Sequence, residues 1–182
     1  MTRTSIAHGF LVTLLVAAHG LAPAAAPRLV QTGALPTDAR SVQENYDDWT
    51  VACVQRDAKR LCSLSQQQLD KDSRQRVVAL ELSSVAADKA DGTLLLPFGL
   101  ALDQKVILQL DGAQFGSPLP YRTCLAAGCL VKVSLDTRSI GDLKKATALT
   151  VKTTADGGQP LTFTLSLKGF ASAFDRTAAL GK

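Results

Sequence analysis

Histidine is nearly missing from this sequence, and its absence removes whole classes of chemistry. The two histidines among 182 residues, His8 and His19, both lie in the first 24 residues, which are typical of a leader that is removed on export. The expected mature chain therefore has no imidazole for a Ser-His-Asp or Cys-His site, a histidine metal site or a pH switch near neutrality. We expect a protein that is not an enzyme.

Aromatic residues and an excess of one charge are also scarce. Phe, Trp and Tyr make up 5% of the chain, with one Trp and two Tyr, which is too few for a stack of rings that bind bases or sugars. The formal net charge is +4 and falls by one when Arg3 leaves with the leader. Because the basic residues are dispersed among acidic ones, the sequence predicts no nucleic-acid partner.

Motifs that bind phosphate, dinucleotides or calcium are absent, as is a G-x-S-x-G nucleophile, so we expect no cofactor and no metal. Two weak catalytic alternatives remain. Asp47 and Asp48 form a carboxylate pair, but neighbours on an extended strand point to opposite faces. Ser166 and Lys168 leave a Ser-Lys hydrolase formally open, although exposed polar residues at this spacing are usually only solvated.

Residues 1–24 predict a signal peptide. Arg3 and the free amine give a positive start, and residues 10–18 form an apolar run that is too short to cross roughly 30 Å of hydrocarbon as a helix. We expect cleavage between Ala24 and Ala25, the alternative being an uncleaved anchor. No transmembrane span would then remain, and we expect the mature protein in the periplasm, or secreted or associated with the outer membrane.

The remaining chain divides into a flexible segment, residues 25–45, and one domain, residues 46–182. The segment contains Pro27, Gly33 and Pro36 and shows no lasting periodicity, which is typical of a mobile terminus. We expect the folded unit to begin near Tyr46.

Four cysteines follow the leader: Cys53, Cys62, Cys124 and Cys129. An even number in an exported domain predicts two disulfides, although three pairings are possible. Local pairing, Cys53 with Cys62 and Cys124 with Cys129, is the economical choice because both intervals contain turn residues. A four-thiolate zinc site is an alternative that the first spacing does not suit. A redox-active pair is another, without a C-x-x-C motif to support it.

Apolar residues recur with a period of two, which predicts strands with one buried face and one wet face. Residues 161–168 show this most clearly, since Thr162, Thr164, Ser166 and Lys168 alternate with apolar residues. The same alternation occurs at residues 49–53, 78–82, 106–110, 131–135 and 149–152.

Turn signals and two short helical patterns complete the fold prediction. Asp-Gly at 91–92 and 111–112 and Asp-Gly-Gly at 156–158 predict tight turns. We expect short helices at residues 139–146 and 170–180, the second with a stripe formed by Phe170, Ala173, Phe174 and Thr177. Seven or eight strands with these helices predict an all-β protein, an antiparallel β-sandwich or flattened barrel with a short C-terminal helix and two disulfides.

The densest basic group, Arg56, Lys59 and Arg60, lies on the hairpin predicted between Cys53 and Cys62. An exposed basic tip clamped by a disulfide is a candidate contact for an anionic surface such as lipopolysaccharide or a host glycan. The alternative is a turn that these charges merely keep soluble.

A series of landmarks runs through the predicted domain. They are Trp49-Thr-Val-Ala-Cys53, Cys62, Leu96-Pro-Phe-Gly99, Asp111-Gly112, Cys124-x3-Gly128-Cys129, Leu143-Lys-Lys145 and Gly169-Phe170. Their order resembles the invasion-associated locus B family of exported bacterial proteins, except that Asp103-Gln104 stands where we expect a glycine. The resemblance implies a non-enzymatic β-domain in the periplasm or at the cell surface, linked in pathogens to entry into host cells.

The landmarks are expected to have scaffold roles. Trp49 shares a strand face with Cys53, so we expect it to pack on that disulfide. Gly99 follows Pro97 in a bend, Gly128 permits the tight Cys124–Cys129 loop, and Gly169 ends the last strand before the terminal helix.

Two hypotheses about function follow, besides the weaker one of a histidine-free enzyme such as a disulfide exchanger. The first is an exported interaction module that contacts an envelope or host-surface protein or glycan. The second is a periplasmic carrier that holds a small molecule or lipid between its sheets, which requires a cavity of about 300 Å³ or more.

Overall fold

The computed structural model describes residues 41–181, which form eleven strands and two helices. The elements are β1 (Ser41–Tyr46), β2 (Trp49–Arg56), β3 (Lys59–Leu69), β4 (Arg76–Val85), β5 (Lys89–Leu96), β6 (Val106–Leu110), β7 (Ala113–Leu119), β8 (Tyr121–Leu125), β9 (Gly128–Asp136), α1 (Thr137–Lys145), β10 (Ala148–Thr154), β11 (Pro160–Ser166) and α2 (Phe170–Leu180).

The strands form two antiparallel sheets that face each other across one core. The larger sheet has the order β1-β2-β3-β4-β5-β9-β8, and the smaller one has the order β11-β10-β6-β7. The alternating apolar residues turn inward as the sequence predicts: Leu80 and Val131 of the larger sheet and Leu108 and Val151 of the smaller one are each at most 5% exposed. The predicted sandwich with two disulfides is confirmed.

The two helices pack on the larger sheet and contribute buried residues to the same core. The Asp136 carboxylate caps α1 by accepting a hydrogen bond of 2.8 Å from the backbone N–H of Ser139. Helix α2 packs on β1 to β4 and on α1, and its bounds match the prediction. Its buried residues are the predicted stripe, Phe170, Ala173, Phe174 and Thr177.

Trp49 does not pack on the disulfide, so that expectation is wrong. Its ring meets the edge of Phe170, with centroids 5.0 Å apart, and its Nε1 donates to the carbonyl oxygen of Ser166 at 3.0 Å. Cys53 lies four residues further along the strand, about 13 Å at 3.3 Å per residue. The disulfide belongs to a separate small cluster with Val42 and Leu180.

The turn expected at residues 91–92 is also wrong, whereas those at 111–112 and 156–158 are confirmed. Gly92 lies inside β5, opposite Leu82 of β4, where the register shifts. A Cβ at Gly92 would collide with the carbonyl oxygen of Glu81. This glycine therefore permits a close approach of two strands at a bulge and does not form a turn.

The structure has more strands than the seven or eight predicted, and they begin earlier. Strand β1 starts at Ser41, which pairs with Val54 of β2, so residues 41–45 of the segment expected to be flexible are a strand. Only Val42 is buried among the residues of β1, which explains why alternation did not reveal this edge strand. The predicted signal peptide and residues 25–40 lie outside the described residues.

Candidate functional site

The hairpin formed by β2 and β3 ends in a two-residue turn, Asp57-Ala58. Both residues have positive φ, 48° and 62°, as in the type I′ turn whose twist matches the flanking strands. The turn places Arg56 and Lys59 at the two strand ends, and both side chains are exposed. Two of the three basic residues predicted for the hairpin tip, Arg56 and Lys59, therefore lie next to the turn.

The register of the hairpin decides which tip residues lie together. Arg56 pairs with Lys59, and the next pairs back from the turn are Gln55 with Arg60, then Val54 with Leu61. Because successive side chains point to opposite faces, Arg56 and Lys59 share the solvent face of the sheet with Val54 and Leu61. We call these four residues the tip face.

Arg60 is separated from the other two predicted contact residues. It projects from the opposite side of the hairpin, the side that carries Cys53 and Cys62, and it is half-buried. There it borders a cavity of about 480 Å³ that is also lined by Ser84 and Gly181. The structure thus brings Arg56 and Lys59 together and places Arg60 elsewhere.

The two cations of the tip face form no ion pair with a carboxylate of residues 41–181. The ion pairs found there use other cations, namely Arg138–Asp142, Lys144–Asp175, Lys168–Asp47 and Arg176–Glu44. Like charges directly opposite each other across two strands are unfavourable. The tip therefore carries two cations outside any ion pair of residues 41–181, with the exposed carboxylate of Asp57 in the turn between them, so the formal charge of the tip is reduced but stays positive.

A disulfide joins Cys53 and Cys62, which form the fourth residue pair of the hairpin counted from the turn. The two Cα atoms are 4.0 Å apart, and the sulfurs are buried beside Val42 and Leu180. The second disulfide joins Cys124 and Cys129 across the β8–β9 turn. Local pairing is confirmed, and because all four sulfurs are bonded, none is free as a thiolate ligand for zinc in this structure. A redox-active pair stays a prediction, since a disulfide is the oxidised form of such a pair.

The Ser-Lys alternative does not fit the geometry. Lys168 Nζ forms an ion pair of 3.1 Å with Asp47 Oδ1, and this carboxylate raises the pKa of the lysine above its usual value. A catalytic lysine needs a lowered pKa, so that it can accept a proton near neutrality. Asp47 and Asp48 themselves lie in the β1–β2 turn, where Asp47 serves the ion pair.

The core between the sheets is filled. The cavity enclosed there measures about 10 Å³ and is lined by apolar side chains, which is close to the smallest space that can hold one water. A carrier needs roughly 300 Å³ or more. The hypothesis of a ligand between the sheets is therefore wrong.

The sequence analysis missed two features of the surface. A groove of about 580 Å³ crosses the solvent face of the larger sheet, with Thr50, Ser65 and Thr93 in its lining. The groove is formed by small side chains from several strands, which strand pairing brings side by side. No short sequence motif could therefore have predicted it. Val54 and Leu61 were also missed, although Val54 is an apolar residue at an outward position of β2, which breaks the alternation and could have been noticed.

Comparisons with known proteins identify the family of this chain. The profile of the invasion associated locus B (IalB) protein family matches residues 49–178. An invasion protein B homolog of Brucella abortus (strain 2308) is 44% identical over 149 residues, which cover 81% of this chain and 86% of the relative. Invasion protein B of Bartonella bacilliformis is 30% identical over 168 residues, which cover 91% of this chain and 89% of the relative.

A solved structure agrees with these matches. The crystal structure of invasion associated protein B from Bartonella henselae superposes with a TM-score of 0.71 at 30% identity, over 76% of this chain and 96% of that one. Among residues 41–181, no helix is both long enough and apolar enough to cross a membrane. The profile match, the identities and the shared fold show that this chain belongs to the invasion-associated locus B family.

Proposed function

We propose that this chain is an exported, non-enzymatic protein of the cell envelope that acts as an interaction module. Two relatives carry the name invasion protein B, the leader predicts export, and disulfides are typical of oxidising compartments. The expected location is the periplasm or the outer surface. The contact residues are Arg56 and Lys59, whereas Arg60, the third residue of the predicted basic group, lies on the other side of the hairpin. The partner is an anionic component of the envelope or of a host surface.

One observation carries this proposal: the clasped β2–β3 hairpin presents Arg56 and Lys59 side by side and unpaired among the described residues. A matched cation pair held on a disulfide-braced hairpin has its geometry set before binding, which lowers the ordering cost of an association.

The experiment measures how much of the exported full-length protein stays with washed cell envelopes. The variant R56Q/K59Q removes the cation pair, and K105Q/K152Q is the control, since it removes two exposed lysines elsewhere and leaves the same net charge. We expect the wild type and the control to be retained and released by salt, because surface electrostatics are screened at high ionic strength. Equal retention of all three proteins would refute the contact site.

A further inference from the structure

The tip face consists of two cross-strand pairs of side chains, which we call rungs, one apolar and one cationic. Val54 and Leu61 face each other across the hairpin and are 49% and 47% exposed. Arg56 and Lys59 form the next rung on the same face, nearer the turn. Two apolar side chains and two cations thus lie next to each other on one face of the hairpin, two from each strand.

Each rung is unfavourable in water for its own reason. The cations repel each other across the ladder, and the half-exposed Val54 and Leu61 leave apolar surface in contact with solvent. One kind of ligand relieves both: an anion placed over the cations that is attached to an apolar body placed over Val54 and Leu61. A hydrophilic polyanion would relieve only the first rung.

We infer that the tip face docks on a bilayer that contains anionic phospholipid, with phosphate groups at Arg56 and Lys59 and the headgroup–acyl boundary at Val54 and Leu61. Basic residues are attracted to anionic lipid, and apolar side chains add affinity by entering the boundary region. This inference rests on the proposed function and names the partner of the same site. An acidic glycan or an acidic protein is the competing occupant.

The fold supports such a docking geometry. The tight Asp57-Ala58 turn and the disulfide between Cys53 and Cys62 restrict the conformations open to the hairpin. Arg60, on the other side of the hairpin, is not required for it. Since binding orders little of the protein, even two cations and two apolar side chains can give measurable partitioning.

The experiment is cosedimentation of the full mature chain with vesicles of phosphatidylcholine, with or without one-third phosphatidylglycerol. We expect binding to the anionic vesicles only. R56Q/K59Q should bind about 30-fold more weakly, because each basic residue near an anionic surface contributes roughly a factor of five. V54T/L61Q should bind about tenfold more weakly, because it removes most of the apolar contact.

Matched controls test whether the position of the residues matters. K105Q/K152Q carries the same net charge as R56Q/K59Q, and L102Q/I107T removes two apolar side chains that are 51% and 37% exposed elsewhere. Both controls should bind the anionic vesicles as the wild type does. The same four variants are assayed on immobilised heparin as a hydrophilic polyanion.

Three outcomes would overturn the lipid inference: no preference for anionic vesicles, wild-type binding by V54T/L61Q, or an equal loss in the controls. If heparin binding depends on Arg56 and Lys59 while V54T/L61Q binds vesicles as the wild type does, the partner is a glycan and the proposed function stands. If R56Q/K59Q is also retained normally on cell envelopes, the proposed function itself fails.

Discussion

At the scale of single residues, Gly169 decides how β11 continues into α2. Its φ is +85°, and a Cβ there would collide with the carbonyl oxygen of Tyr46. We predict that Gly169→Ala lowers the free energy of unfolding by about 3 kcal/mol, from left-handed strain and the backbone clash together. The measurement is urea unfolding followed by the fluorescence of Trp49, the only tryptophan in the sequence.

Gly141 provides the control for that substitution. It lies inside α1, and nothing comes within 4 Å of a Cβ built on it. Gly141→Ala should leave stability unchanged or raise it by up to about 1 kcal/mol, because alanine is the better helix former. Similar losses in both variants would contradict the assignment of a special backbone role to Gly169.

Gln66 is the buried residue whose polar atoms are least satisfied. Its side chain is 4% exposed, and neither Oε1 nor Nε2 has a hydrogen-bond partner among residues 41–181. We predict that Gln66→Met raises the free energy of unfolding by about 1–2 kcal/mol, since the amide is desolvated without compensation. A loss of stability in thermal unfolding would show that the amide has a partner in solution, such as a buried water.

At the scale of elements, one ion pair fastens the edge strand β1 to α2. Arg176 donates from Nε and Nη2 to the two carboxylate oxygens of Glu44, at 2.8 and 2.7 Å, and the hydroxyl of Tyr46 donates to Glu44 as well. The guanidinium, followed by the tyrosine hydroxyl, lowers the pKa of Glu44 below its usual 4.5, against the opposing effect of burial.

This pair predicts a definite pH dependence. Because the folded protein lowers the pKa of Glu44, its stabilisation is fully present above pH 4.5 and is lost as the pH falls through the folded value. Glu44→Gln should lower the free energy of unfolding by about 1 kcal/mol at neutral pH, as the pair is partly solvated. It should also reduce the further loss of stability as the pH falls below 4.5. Urea unfolding from pH 7 down to 3 checks this, and the same loss of stability at acid pH in the variant and the wild type would contradict it.

The two disulfides should stabilise the folded protein by similar amounts, but only one of them should affect binding. Replacing either pair by alanine should cost roughly 2–3 kcal/mol, because short rings restrict the unfolded chain by about this amount. Only C53A/C62A should also weaken tip binding, since only that bond braces the β2–β3 hairpin. C124A/C129A is the control, and equal binding losses in the vesicle assay would contradict the bracing role.

Elements with strict alternation were predictable from the sequence, and those without it were not. The pattern at 161–168 predicted β11, and the stripe at Phe170 and Phe174 predicted α2. Strands β1, β7 and β8 bury one residue or none, so they show little alternation, whereas β11 keeps it although it also lies at a sheet edge. Gly92 was read as a turn because the sequence does not show the approach of β4.

At the scale of the whole molecule, the sequence led to the sandwich, the local disulfides and the basic hairpin. It did not show that Arg60 lies apart from Arg56 and Lys59, because that depends on the turn length and on register. It also did not show that the core is filled, because packing between distant strands is decided by side-chain shape over the whole sandwich. The carrier hypothesis could therefore be dismissed only with the structure.

The central claim is that the β2–β3 hairpin tip is where this protein meets its partner. The most direct test is site-specific photocrosslinking in intact cells, with the photoreactive residue at Ala58 in the turn or, as a control, at the exposed Lys152 of β10. We predict crosslinked lipid, protein or glycan from position 58 and none from position 152. No product from position 58, or equal yields from the two positions, would contradict the account.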